Sequence, residues 1–168
     1  LESGNSKKIW STIVNDVGSD PERFSQVMDL FLSDNYRLVQ RVSQAIGIIG
    51  KKQPQLITPY LPKMLDLLAT GCIDAVKRNI LRIFQFIDIP KDLEGKLFDI
   101  TLTFLKSNEE AIAIRVFSMT ALRKICEKHS ELSQEIIPTI EIILSENKSG
   151  GIQSRGKSEL NKLRSLQK

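Results

Sequence analysis

The feature that most constrains this 168-residue chain is a spacing that returns along its length. Four arginines follow one another at intervals of 37, 37 and 40 residues: Arg41, Arg78, Arg115 and Arg155. Four leucines, each of which closes an apolar run before a short polar break, stand at intervals of 36, 37 and 39 residues: Leu32, Leu68, Leu105 and Leu144. Because two independent markers keep the same register, we predict a stack of similar helical units.

Apolar residues between the polar breaks recur at i, i+3, i+4 and i+7, which predicts amphipathic helices instead of strands. We predict that the helices alternate between two kinds, A and B, and form four hairpins. The predicted A helices cover 21–33, 55–69, 91–106 and 132–146, and the predicted B helices cover 35–52, 73–88, 109–129 and 152–166. One additional helix, at about 6–17, precedes them and carries Trp10 on its apolar side.

These helices predict a single domain of repeats. A lone hairpin cannot bury the apolar stripes of both its helices, whereas stacked hairpins share one core and need caps only at their ends. The predicted divisions are an N-terminal cap at 1–20, repeats at 21–53, 54–89 and 90–130, and a degenerate fourth repeat or C-terminal cap at 131–168. We expect Gly150 and Gly151 to open a flexible gap. Gly156 weakens the last helix, so the sequence leaves the order of 148–168 open.

Two motifs within the repeats carry a family resemblance. Pro62 and Pro138 occupy the same place in the second and fourth A helices, and the stretch from Glu110 to Arg115 reads Glu-Ala-Ile-Ala-Ile-Arg at the start of a B helix. In these features the chain resembles the HEAT-repeat family and the allied armadillo repeats. The resemblance implies an all-α, right-handed α-α superhelix: a short solenoid of about four helical hairpins with an N-terminal capping helix.

Charge is divided unequally between the two kinds of helix. The B segments, taken with their flanking residues, have a formal charge of +11, and the rest of the chain has −7, which gives the net charge of +4. The family resemblance implies that B helices line the concave surface of the superhelix. We therefore expect a basic inner groove and an acidic back. Such a groove suits an extended anionic partner.

We predict that this partner binds a stripe of cations along the B helices. The candidate residues are Arg37, Arg41, Lys52, Arg78, Arg82, Arg115, Arg155 and Lys162. We favour an acidic segment of a protein partner as the occupant, and the backbone of duplex DNA is the alternative. In a third interpretation the repeated arginines form a structural ladder with acidic groups of the neighbouring turns. The members of that ladder are Arg41, Arg78 and Arg115 with Asp34, Asp74 and Glu110.

No motif indicates an enzyme, a cofactor or a metal. The chain has no Gly-rich phosphate loop, no HExxH and no nucleophile elbow. His129 is its one histidine, and without a second it makes neither a convincing metal site nor a Ser/His pair. We interpret it as an ordinary residue at a helix end. We expect a non-enzymatic scaffold without a cofactor, and we rank nucleic-acid binding second and an enzyme third.

The two cysteines bear on the compartment. Cys72 and Cys126 belong to no CxxC motif, which favours free thiols in a reducing compartment and predicts a cytoplasmic protein. No apolar run approaches the roughly 18 residues that a membrane span needs, so we expect no membrane partner.

Overall fold

The computed structural model describes residues 3–167, and it describes side chains from residue 8 onward. Over this range the chain forms helices and no strand. The helices are α1 (Ser3–Val17), α2 (Pro21–Phe31), α3 (Tyr36–Lys52), α4 (Pro54–Ile57), α5 (Leu61–Thr70), α6 (Asp74–Phe84), α7 (Lys91–Lys106), α8 (Ile112–Cys126), α9 (Ser133–Glu146) and α10 (Gly150–Ser165). The predicted all-α fold of helical hairpins is confirmed. The B helices are α3, α6, α8 and α10.

Polar side chains set several of the helix starts. The Asp20 carboxylate accepts hydrogen bonds from the backbone N–H groups of Glu22 and Arg23, at 2.9 and 3.3 Å, and Pro21 opens α2. The Asn35 side chain accepts from the Leu38 N–H at 3.2 Å and caps α3 in the same way. Each cap satisfies an N–H group that the first helical turn leaves without an intrahelical acceptor.

The second A helix is interrupted, which the sequence prediction of one helix over 55–69 missed. α4 ends at Ile57, a short 3₁₀ turn covers Thr58–Tyr60, and α5 begins at Leu61. Pro59 lies in the 3₁₀ turn and Pro62 lies in the first turn of α5. Each proline removes a backbone donor and is tolerated best where a helix begins, so the two together divide the segment. Gly71, with φ of +101°, ends α5 in a conformation that favours glycine.

The described chain divides into two compact units, Leu1–Asp88 and Ile89–Lys168. That the two units make a single domain stays a prediction. In the first unit α3 packs against α1, α2 and α6. α1 therefore packs against α3 as α3 packs against α6, the next B helix. It also covers the end of the core. The largest fully buried side chains are Phe24, Met28, Phe31, Ile46, Ile49, Ile57, Leu61, Met64, Leu65, Ile80, Leu81 and Phe84.

In the second unit α8 is the central helix, packed against α7, α9 and α10. The expectation of a flexible gap at Gly150 and Gly151 is wrong, because α10 begins there. The Ser149 hydroxyl accepts from the Ile152 N–H at 3.3 Å and caps the helix. The buried residues that hold the unit together are Leu105, Val116, Met119, Leu122, Cys126, Ile136, Ile140, Ile143, Ile152, Leu160 and Leu163.

Gly156 has a packing role that its low helix propensity conceals. A Cβ at Gly156 would lie 2.7 Å from Cδ2 of Leu144 and 3.4 Å from Cγ2 of Ile140, both on α9. The absence of a side chain therefore lets α10 approach α9 closely. The glycine that weakens the sequence signal for this helix is the residue that permits its docking.

We expect Gly156→Ala to lower the free energy of unfolding by about 1–2 kcal/mol, because overpacking outweighs the gain in helix propensity. Gly95→Ala is the matched control. Gly95 is an exposed residue inside α7, and nothing lies within 4 Å of a Cβ built on it. That change should stabilise the protein by about 0.5–1 kcal/mol. Urea denaturation measures both, and equal stabilisation by the two substitutions would contradict the close α9–α10 contact.

Candidate functional site

The charged side chains on the solvent-exposed side of α3 are all positive. The helix carries four cations and no carboxylate, and all four cations are exposed: Arg37, Arg41, Lys51 and Lys52. Arg37, Gln44 and Lys51 are spaced by seven residues, which keeps them on one side of the helix. The ammonium of Lys51 lies 5.1 Å from the ring centroid of Phe86. Within residues 8–167, none of the four cations comes within 4.0 Å of a carboxylate.

Helix α6 adds two arginines beside α3, Arg78 and Arg82, one turn apart. The Arg82 Nη1 donates to Oε1 of Gln44 at 3.2 Å. The Asn79 Nδ2 donates to the Ser43 hydroxyl at 2.8 Å and so fixes the two helices to each other. We define the basic face as four cations of α3 and the two arginines of α6: Arg37, Arg41, Lys51, Lys52, Arg78 and Arg82.

A recess opens in the basic face where α1, α3 and α6 meet. Its volume is about 280 Å³, and no carboxylate lines it. The lining residues are Trp10, Gln40, Ser43, Gln44, Arg78, Asn79 and Arg82. We refer to it as the Trp10 recess. Its walls present mainly nitrogen donors, so the site suits an anion.

The predicted ladder takes a different form in the structure. Within the described part of the chain, neither Arg41 nor Arg78 has a carboxylate within 4.0 Å, so their expected pairing with Asp34 and Asp74 is absent there. Arg115 is buried, and its Nε donates to the backbone oxygen of Leu105 at 3.2 Å. Arg115 was predicted to bind a partner, but only 4% of it is exposed, so it differs in this respect from the exposed arginines of α3.

The other predicted cations of the second unit are engaged around a buried carboxylate. The Glu159 side chain lies between α8 and α10, with Nε of Arg123 at 2.7 Å and Nζ of Lys162 at 3.5 Å. Thr120 donates to Glu159 Oε1 at 3.0 Å and accepts from Nη1 of Arg155 at 2.6 Å. Arg155 and Lys162 therefore take part in the internal network of the second unit. The five other predicted residues all lie in the first unit.

A second buried carboxylate explains His129, which the sequence analysis treated as ordinary. Glu94 on α7 has its side chain only 7% exposed. It contacts His129 Nε2 at 2.7 Å and Lys128 Nζ at 2.9 Å, both just past the end of α8. The hydrogen bond from His129, then that from Lys128, holds the pKa of Glu94 below its ordinary value of 4.5. The contacts join the start of α7 to the end of the next helix.

Sequence reasoning missed Lys51, Gln44 and Trp10 as parts of the candidate site. The seven-residue spacing from Arg37 could have identified Gln44 and Lys51, because it places all three on one helix side. Trp10 gave no such signal, since its place depends on how α1 packs against α3.

The described helices fix the repeat architecture, and comparison with known families agrees with it. A family described as a HEAT repeat domain matches residues 1–163. The chain belongs to the HEAT-repeat family. No curated protein and no solved structure matches it. HEAT repeats generally serve as protein-binding scaffolds and are typically not enzymes.

Membrane and metal sites were considered for this HEAT-repeat chain from its helix lengths and side-chain positions. Within residues 3–167, no helix has the length and apolar character that a membrane crossing requires. The same part of the chain contains no cluster of three or more His, Cys, Asp or Glu side chains placed to hold a metal ion.

We expect Glu94→Gln to destabilise the protein at neutral pH, because Lys128 and His129 lose their charged acceptor. A carboxylate whose folded pKa is depressed stabilises the fold above its unfolded pKa, near 4.5, and loses that contribution as pH falls through the folded value. The difference in free energy of unfolding between wild type and Glu94→Gln should therefore narrow as the pH falls below the unfolded pKa of 4.5 and through the lower folded value.

Glu135→Gln is the control for this effect. Glu135 pairs with Lys106 at 3.0 Å, but both side chains are half exposed, so the loss should be at most about 1 kcal/mol. Denaturation curves at several pH values measure both variants. A Glu94→Gln deficit that stays constant into acid would show that Glu94 does not act through its charge.

Proposed function

We propose that this chain is a non-enzymatic protein-interaction module that holds an acidic segment of a protein partner against the basic face. The observation that carries the proposal is the uncompensated charge of α3, whose exposed side has four cations and no carboxylate. Like charges four residues apart on one helix, such as Arg37 and Arg41, repel one another and destabilise it slightly. An external anion would remove that repulsion.

The dimensions of the basic face support an extended partner. Arg37 and Lys51 are fourteen residues apart on one helix, which corresponds to about 21 Å at 1.5 Å per residue. An extended peptide covers that distance with about six residues. Acidic side chains on alternate positions of such a peptide would face α3 at intervals that its cations can meet.

The second unit supports the proposal by contrast. Most of its B-helix cations already have partners inside the protein, such as Glu159 for Arg123 and Glu141 for Arg164, which lie 2.7 and 2.6 Å apart respectively. Binding a partner through these groups would require breaking existing contacts. We therefore assign the binding role to the first unit alone.

We expect the double variant Arg37→Glu/Arg41→Glu to bind a fluorescein-labelled, glutamate-rich peptide at least about tenfold more weakly than wild type, a loss of about 1.4 kcal/mol. The cause is that the substituted glutamates repel the acidic peptide where the two arginines attracted it. Both arginines are exposed, and neither has a carboxylate within 4.0 Å among residues 8–167. Fluorescence anisotropy measures the affinity, and a thermal melt checks that the fold is unchanged.

The matched control is Lys63→Glu/Lys157→Glu, which changes the net charge equally. Both lysines are exposed and lie outside the basic face, on α5 and α10. Its affinity should stay within about a factor of three of wild type, since exposed charges that do not contact the peptide are screened by salt. If the control loses as much as the double variant, net charge governs binding and the basic face has no special role.

Fluorescence anisotropy also tests the alternative that the chain binds nucleic acid, by comparing the affinities for the peptide and for duplex DNA. A random duplex DNA that binds more tightly than the peptide, with an affinity that falls steeply with salt, would replace the protein-binding proposal. We expect the duplex to bind more weakly, because the unpaired cations cover only one helix length.

A further inference from the structure

The Trp10 recess has features that the acidic-segment proposal does not use. It lies between three helices of the first unit, whereas Arg37 and Arg41 lie on the open side of α3. Two guanidinium groups one turn apart on α6 contribute to its lining, and no carboxylate does. An anion that enters the recess would therefore meet two full positive charges without competition from an internal acid.

The polar groups beneath the arginines are already satisfied by one another. The Asn79 Nδ2 donates to the Ser43 hydroxyl at 2.8 Å and to the backbone oxygen of Ala75 at 2.7 Å. The Ser43 hydroxyl in turn donates to the backbone oxygen of Val39. These bonds fix the lower part of the recess, so it is organised before any ligand arrives.

Arg78 and Arg82 differ in the hydrogen bonds that they already make within the protein. Arg82 gives one N–H group to Gln44 at 3.2 Å, which positions its guanidinium and leaves most of its donors available. The half-buried Arg78 has no hydrogen bond or ion pair with any residue of the range 8–167. A partly buried guanidinium without an internal acceptor is costly to maintain, and an external acceptor would offset that cost.

We infer that the Trp10 recess binds the phosphoryl group of a phosphorylated serine or threonine in the acidic segment. The inference rests on the proposed function for the segment that brings the phosphate to the recess. A phosphomonoester carries a charge of about −1.5 to −2 at neutral pH and three terminal acceptor oxygens. A carboxylate carries only one charge and two oxygens, so the phosphomonoester matches the donors of two arginines better.

The same comparison separates a phosphorylated side chain from a nucleic-acid backbone. Each phosphodiester of a duplex carries a single charge, and it lies on the outside of a wide, stiff helix. A side-chain phosphate stands at the end of a flexible stem and can enter a recess of about 280 Å³. Phosphorylation of the partner would then strengthen binding to this chain.

Trp10 makes the inference directly testable, because it is the single tryptophan of the chain and lines the recess. We expect O-phosphoserine to change the tryptophan fluorescence in a saturable way at neutral pH, and glutamate at equal concentration to have much less effect. The response should weaken below about pH 6, where the phosphate takes up its second proton.

Two variants on α6 and one control elsewhere complete the first experiment. Arg78→Gln and Arg82→Gln should each weaken O-phosphoserine binding about tenfold, and Lys63→Gln, on the exposed side of α5, should leave it unchanged. Circular dichroism melts confirm that the variants fold. A tryptophan response that is absent in wild type, or that survives both arginine variants, would overturn the inference. An equal, arginine-dependent response to a duplex DNA would overturn it as well.

A pair of acidic peptides that differ only in one serine or phosphoserine separates this inference from the proposed function. We expect the phosphopeptide to bind at least about tenfold more tightly, and the Arg78→Gln/Arg82→Gln variant to lose that advantage while it still binds the unmodified peptide. Equal binding of the two peptides, still dependent on Arg37 and Arg41, would overturn the inference and leave the proposed function intact. A phosphoserine response without binding of either peptide would overturn the proposed function and leave the recess as a phosphate site.

Discussion

Burial of each B helix on several sides is the constraint on which the rest of the structure depends. In the first unit α3 packs against α1, α2 and α6, and it buries Val42, Ala45, Ile46 and Ile49 along its length. A helix enclosed in this way keeps one narrow strip for solvent, and every polar side chain must fit there. On α3 that strip is occupied by Arg37, Arg41 and two lysines, with no acid among them.

The same constraint has the opposite result on α8. Burial extends further around this helix and reaches Arg115, Ser118 and Thr120. A buried polar group must find a partner inside the protein, since water no longer serves. Arg115 donates a hydrogen bond to the Leu105 carbonyl, Ser118 donates one to the Ile114 carbonyl, and Thr120 donates one to the Glu159 carboxylate. Polar side chains that would face solvent on α3 are thus committed to the structure on α8.

Much of the fold followed from the sequence because helical spacing is a local property. The repeated apolar stripes located the A and B helices to within a few residues, except at the segment divided by Pro59 and Pro62. Here the local conformational restriction of proline prevailed over the apolar pattern. The last helix was underestimated for the converse reason. Gly156 has a poor helix propensity, but its value depends on α9, which no local rule includes.

The candidate site was predictable only in part, because residues at equivalent positions of successive repeats need not be equally buried. Arg41, Arg78 and Arg115 keep one register in the sequence, yet the first is exposed and the last is buried. The hydrogen-bond partners of Glu94 and Glu159 could not be predicted from the sequence either. His129 lies 35 residues from Glu94, and Thr120 lies 39 from Glu159, so only the packing of the helices brings them together.

The central claim is that the arginines of α3 have no carboxylate partner in the described part of the chain, whereas those of α8 stabilise the fold. The most direct measurement is NMR of the arginine Nε–H groups, which reports hydrogen exchange and side-chain motion at each guanidinium. The account predicts slow exchange and restricted motion for Arg115 and Arg123, and fast exchange with large motion for Arg37 and Arg41. Equal protection of all four would contradict it, because Arg37 and Arg41 would then already be held by contacts within the protein.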